Sequence, residues 1–170
     1  GDVIEVEGYI GTVLNINLRN TEILSFDGNE ILLPNRLLFE NPLTNYYKTK
    51  TRRVDLEVGV SYAEDLDRVE EITRKAIAQL PELIQSEDIQ VIFKDFGGSS
   101  INLEVRYWVP YSTYFQYLKG QSDGVELIKK AYDENNISIP FPITTLDFGI
   151  KGGKSLSTSF QNQIEQVEKN

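Results

Sequence analysis

Residues 8–35 read GYIGTVLNINLRNTEILSFDGNEILLPN, three apolar runs separated by turn-forming residues. In the first run Ile10, Thr12, Leu14, Ile16 and Leu18 alternate with Gly11, Asn15, Asn17 and Arg19. Period-two alternation of that length predicts a half-buried strand, with the first set facing a core. A second run, Glu22 to Phe26, meets a third, Glu30 to Leu33, across Asp27-Gly28. Asp-Gly between apolar runs predicts a hairpin, because tight turns need positive φ values that Gly and Asp tolerate. Pro34 removes a backbone donor and ends the ladder. A short strand at Val3 to Val6, turned by Glu7-Gly8, and another within Leu43 to Tyr47 complete a small bent sheet.

The rest of the chain reads as an attachment to that sheet. Arg36 to Glu40 is one helical turn, closed by Asn41-Pro42 because a residue before proline is pushed toward extended geometry. The tract Lys48-Thr49-Lys50-Thr51-Arg52-Arg53 reads as a solvated linker. Val54, Leu56, Val58 and Val60 then alternate with polar residues as a strand. Glu64, Asp65 and Asp67 place negative charge where a helix begins, the positive end of its dipole. Leu66, Val69, Ile72, Ala76, Ile77 and Leu80 form the apolar stripe of that helix, which Pro81 ends.

Ile89 to Lys94 and Ile101 to Val109 predict two more strands joined through Gly97-Gly98, with Ile101, Leu103, Val105, Tyr107 and Val109 on one face. A second helix spans about Tyr114 to Asn135 with Val125, Ile128, Ala131 and Tyr132 inward. Gly120 and Gly124 weaken it by about 1 kcal/mol each relative to Ala, so its first half is expected to break. Asn135-Asn136 suits a left-handed cap. Extended segments at Ile137 to Ile139 and Ile143 to Ile150 finish a β-α-β-β-α-β order, that of a ferredoxin-like split unit. Leu156, Phe160, Ile164 and Val167 are spaced for a short amphipathic helix in an otherwise polar tail.

Composition narrows the chemistry. The 170 residues hold 26 acidic and 17 basic side chains, a formal net charge of −9, and no Cys or His. Disulfides, thiol nucleophiles, Cys/His zinc sites and His-dependent triads are thereby excluded. An acidic chain is a poor partner for phosphate backbones, so no nucleic acid is expected. No apolar run reaches the roughly 18 residues of a membrane-crossing helix. The sequence has no Met and starts at Gly1, which reads as a fragment of a longer chain. Gly152-Gly153-Lys154-Ser155 lacks the first glycine of a phosphate loop, Phe148 standing in its place. Gly97-Gly98-Ser99-Ser100 leads into a strand and reads as a hairpin turn. Glu64, Asp65 and Asp67 are explained by the helix start without a metal. Tyr107, Trp108, Tyr111, Tyr114, Phe115 and Tyr117 cluster at the start of the second helix, as core or interface packing or as a ligand pocket. No nucleophile–base pair presents itself, and neither an enzyme nor a cofactor is expected.

The ordered series Gly1-Asp2, Gly8-x-x-Gly11-Thr12-Val13, Arg19-Asn20-Thr21, Asp27-Gly28 and Leu33-Pro34-Asn35 resembles the β domain of the small-conductance mechanosensitive channel (MscS) family. Gly59-Val60-Ser61-Tyr62, Gly98-Ser99-Ser100 and Ile139-Pro140-Phe141-Pro142 resemble segments of that family's cytoplasmic domain. The resemblance covers about residues 1–150. It implies a small SH3/Sm-like β domain (1–50), a ferredoxin-like α/β domain (51–142), a C-terminal strand (143–150) of an intersubunit β barrel and a polar tail (151–170). It implies a homoheptameric vestibule at the inner membrane, below a transmembrane pore carried by the full-length chain. Ions and small osmolytes would pass through it when tension opens the pore in hypoosmotic shock. Gly8, Gly11 and Gly28 would supply turns, and Arg19 and Thr21 would support the β ring. Pro34 and Asn35 would couple to the gate, and Ile143, Leu146 and Phe148 would pack the barrel. The second reading is a soluble small-molecule-binding or sensor module with no channel role.

Overall fold

The structure, a computed structural model, describes residues 1–144. Strands β1 (Val3–Val6), β2 (Tyr9–Ile16), β3 (Asn20–Leu24), β4 (Glu30–Pro34) and β5 (Thr44–Asn45) form one antiparallel sheet in the order β4-β3-β2-β1-β5. Helix α1 (Asn35–Glu40) is the single turn that follows β4. Glu7 and Gly8 both take positive φ, 48° and 80°, so β1 turns into β2 through a two-residue hairpin. Gly28, at φ 86°, turns β3 into β4.

The alternation of β2 does not survive intact. Val13 stands opposite Ile23, but Asn15 stands opposite Glu22, so Leu14 is an extra residue in a β-bulge. A one-residue insertion moves every later side chain to the other face. Gly11, Val13 and Ile16 therefore share the inner face with Ile4, Val6, Thr21, Ile23 and Leu33; the expected inward facing of Ile10, Thr12 and Leu14 is corrected, while Ile16 faces as expected. Ile4, Val6, Ile23 and Leu33 are the buried centre, with Val13, Ile31, Leu37 and Leu38 packed around them.

The second unit has β6 (Thr51–Val60), α2 (Leu66–Ile77), β7 (Gln90–Phe96), β8 (Ile101–Pro110) and α3 (Tyr114–Glu134). Its antiparallel sheet runs β6-β8-β7. Val54, Leu56, Val60, Leu103, Val105, Tyr107 and Val109 bury one face against Val69 and Ile77 of α2 and Ile128 and Tyr132 of α3. Asp65 caps α2, its side chain accepting from the N–H groups of Asp67 and Arg68. Asn136, at φ 56°, turns the chain after α3.

Three further expectations change. α3 is one unbroken helix. Its glycines are places of contact: a Cβ at Gly120 would lie 3.0 Å from Val109 Cγ1, and one at Gly124 would collide with the Tyr107 hydroxyl. Val125 is exposed rather than inward, because Gly124 and Ile128 already fill the line that meets the sheet. The sixth element is also missing among the described residues. Ile137 is buried and the Ser138 carbonyl accepts from Ser61 N–H (2.9 Å), but residues 137–144 form no strand. Pro140 and Pro142 have no N–H to continue a ladder. The polar tail, in which Leu156 to Val167 are spaced for a short helix, lies outside the described residues.

Candidate functional site

The end of the first sheet at which β2 turns into β3 is held by Asn35. Its backbone N–H donates to the Arg19 carbonyl (2.9 Å), and its side-chain amide donates to the Asn17 carbonyl (2.9 Å). Its side-chain oxygen accepts from the buried Thr21 hydroxyl (2.8 Å). Asn17 extends the knot: its amide donates to Glu22 Oε1 (2.6 Å), its side-chain oxygen accepts from Asn15 (3.1 Å), and its N–H donates to the Asn20 carbonyl (2.8 Å). Pro34, opposite Asn20, is the last ladder residue and directs the chain into α1. Pro34, Asn35, Arg19 and Thr21, far apart in sequence, thus meet at one corner. Asn fits there because a single side chain both donates and accepts.

This corner presents apolar side chains to solvent. Leu18, at the tip, is 94% exposed, Ile16 72%, Leu14 53% and Leu32 58%. Phe39, at the end of α1, is 88% exposed. Ile16 lies on the Leu33 face of the sheet and Leu32 on the other, so the exposed apolar side chains flank this end of the sheet on both sides. A groove of about 290 Å³ runs beside it, lined in part by Ile4, Val13, Ile16, Leu38 and Leu43.

The remaining residues singled out from sequence scatter. Gly8 and Gly28 sit in hairpin turns at the opposite end of the sheet. Gly11 is not in a turn; it lies within β2, where a Cβ would approach the Leu24 carbonyl oxygen to 2.5 Å. Ile143 is exposed and its N–H donates to Ser99 Oγ (3.0 Å). Leu146 and Phe148 lie outside the described residues.

The open face of the second sheet carries alternating charge. Arg53 pairs with Asp55 (2.7 Å), Asp55 faces Arg106 (3.9 Å), Arg106 contacts Glu104, and Lys94 bridges Glu104 (3.0 Å) and Glu57 (3.1 Å). The bonds from Arg106 and then Lys94 hold the Glu104 carboxyl below its ordinary range. Glu104, then Glu57, raises Lys94. Burial pushes the Tyr107 phenol above its ordinary value; it donates to the Gly120 carbonyl (2.9 Å). These charges neutralise one another across the open face. Among the described residues no group of three or more acidic side chains could hold a metal ion. Glu64 accepts from Ser138 N–H and Asp65 is the α2 cap, so both are spent on structure.

Residues 1–48 match the family model described as the mechanosensitive ion channel beta-domain, and residues 54–139 match that of mechanosensitive ion channel MscS, C-terminal. The chain belongs to the MscS family. An uncharacterized MscS family protein of Synechocystis is 39% identical over 142 residues, covering 84% of this chain and 47% of the relative. The small-conductance mechanosensitive channel of Helicobacter pylori is 32% identical over 155 residues, covering 91% of this chain and 55% of that protein. The closed-state crystal structure of Helicobacter pylori MscS superposes with a TM-score of 0.80 at 31% identity, over 86% of this chain and 57% of that one. Arabidopsis thaliana MSL1 shares the fold, with a TM-score of 0.70 at 16% identity. The chain spans about half the length of the MscS relatives it matches. No helix among the described residues is long and apolar enough to cross a membrane.

Two features of this MscS chain escaped the sequence reading. The bulge at Leu14 has no residue signature. Arg52, read as linker, has one: stepping the Val54–Leu56 alternation back by two places Arg52 on the core side of β6, opposite Val109. A charged residue in phase with an apolar face was the available signal.

Proposed function

We propose that this chain forms the cytoplasmic vestibule of a tension-gated channel at the inner membrane. Seven copies surround a common axis, below the pore segment of the full-length protein. In this reading residues 1–50 form the ring nearest the membrane and residues 51–142 the wall of the cage. Residues 143–150, including Ile143, Leu146 and Phe148, close a barrel between subunits, and residues 151–170 follow as a tail. Membrane tension opens the pore, and ions and small osmolytes leave through the vestibule in hypoosmotic shock.

The observation that carries the proposal is the joint order of the two family domains over residues 1–139 on one fold. The exposure of Leu14, Ile16, Leu18 and Leu32 around the β2–β3 end of the sheet supports it, since neighbouring copies in a ring would cover such side chains. The Asn35 knot supports a role for Pro34 and Asn35 in coupling. It ties α1 to the protruding β2–β3 turn, so a push on either is carried to the other without slack.

Light scattering after gel filtration tests the assembly. Seven copies of the 19.4 kDa chain weigh about 136 kDa. A strict monomer at high concentration means either that assembly needs the pore segment of the full-length protein or that the chain is the soluble small-molecule module instead.

A further inference from the structure

The two units meet through few side chains, and one of them is a cation. Arg52 lays its guanidinium over three tyrosine rings, with 4.1 Å to the centroid of Tyr117, 4.5 Å to Tyr46 and 5.6 Å to Tyr111. Tyr117 lies on α3 and Tyr46 follows β5, so the cation is held between one unit and the other. The Tyr46 hydroxyl donates to Glu5 in β1, and the Tyr46 N–H donates to the Val3 carbonyl (2.9 Å). Contact therefore runs unbroken from β1 through Tyr46 and Arg52 to α3.

The chain segment between the units is restrained as well. Lys50 enters β6 with φ 56°, an uncommon conformation for a residue with a side chain, and its carbonyl accepts from Tyr111 N–H (2.8 Å). On another side of the junction Phe26, from the β3–β4 turn, stacks on Tyr114 with centroids 4.3 Å apart and planes 13° from parallel. A single attachment would leave the units free to rotate about it; two separated attachments together with the restrained link at Lys50 define an orientation.

We propose that Arg52 is the positioning strut that sets the first unit on the second, with the Phe26–Tyr114 stack as the other point of attachment. Among the described residues its Nη1 and the Tyr111 hydroxyl are buried and have no hydrogen-bond partner, and the three ring faces are what this end of the guanidinium touches. A planar, weakly hydrated guanidinium can lie against several rings at once, whereas the compact ammonium of lysine cannot. The assignment concerns the chain itself and stands whether or not the chain gates a pore.

The absence of native cysteine makes the test direct. Glu30→Cys on β4 and Lys130→Cys on α3, both exposed, receive spin labels in the full chain, diluted with unlabelled chain so that only intramolecular distances are read. Pulsed electron resonance is expected to give one narrow distance distribution. Adding Arg52→Lys is expected to widen it about twofold while circular dichroism is unchanged, because the charge remains and the stacking is lost. Equal widths with and without Arg52→Lys overturn the proposal. If Arg52→Lys does not fold, Tyr117→Leu is read in the same way, and an unwidened distribution overturns it equally.

Discussion

Asn35 shows how much can hang on one side chain. Asn35→Ala leaves the buried Thr21 hydroxyl and the Asn17 carbonyl without partners, at a cost of about 1–3 kcal/mol. The measurement is a lower urea midpoint with an unchanged slope. Asn35→Asp keeps an acceptor for Thr21 but loses the donor toward Asn17, so it falls between the two. Gly124 makes the opposite point about propensity. In an open helix Gly→Ala gains about 1 kcal/mol, but here the methyl group meets the Tyr107 hydroxyl. Gly124→Ala is expected to destabilise by about 1–3 kcal/mol, the usual range for overpacking. Combining it with Tyr107→Phe, which removes the colliding oxygen, should recover part of the loss in thermal melts.

Among the elements, β2 and β8 show where local patterning holds and where it fails. β8 alternates without a bulge and buries every second side chain from Ile101 to Val109. Its other face, with Glu104 and Arg106, joins the charge ladder across the open side of the sheet. That ladder has a pH signature. The Glu104 carboxyl is held below its ordinary 4.5, so its contribution is present above that value and lost as pH falls through the folded-state value. Lys94 is raised above 10.5, so its contribution is present below that value and lost as pH rises through the folded-state value. The parent is therefore expected to melt above Glu104→Gln at pH 7, with the gap closing as pH drops below 4.5. A gap that persists into strong acid would assign the effect to packing.

At the scale of the whole molecule, the exposed side chains Leu14, Ile16 and Leu18 are where the assembly proposal can be tested. Leu18→Ser and Ile16→Ser remove apolar surface that the isolated chain leaves in water, and such surface changes usually alter stability within about 0.5 kcal/mol. Under the vestibule reading both nonetheless lower the mass seen by light scattering. Deleting residues 143–170 and repeating the run asks whether the expected barrel strand is the assembly element. An unchanged mass would place assembly within residues 1–142.

The sequence by itself determined the kinds of element and the ordered motifs that resemble a channel family. It could do so because turn chemistry and two-fold or 3.6-fold periodicity are local. Asp27-Gly28 must turn and Val54 to Val60 must alternate whatever surrounds them. Only tertiary structure decided the face of β2, since one extra residue at Leu14 reverses it and no side-chain type announces a bulge. Only tertiary structure joined Asn17, Arg19, Thr21 and Asn35 into one corner, because hydrogen bonds across 14 or 18 residues depend on the register of three strands. Gly120 and Gly124 looked like breaks in a helix and proved to be where it touches the sheet. Arg52 looked like linker and proved to lie between the two units, because a strand's facing is set by its partners as much as by its own residues.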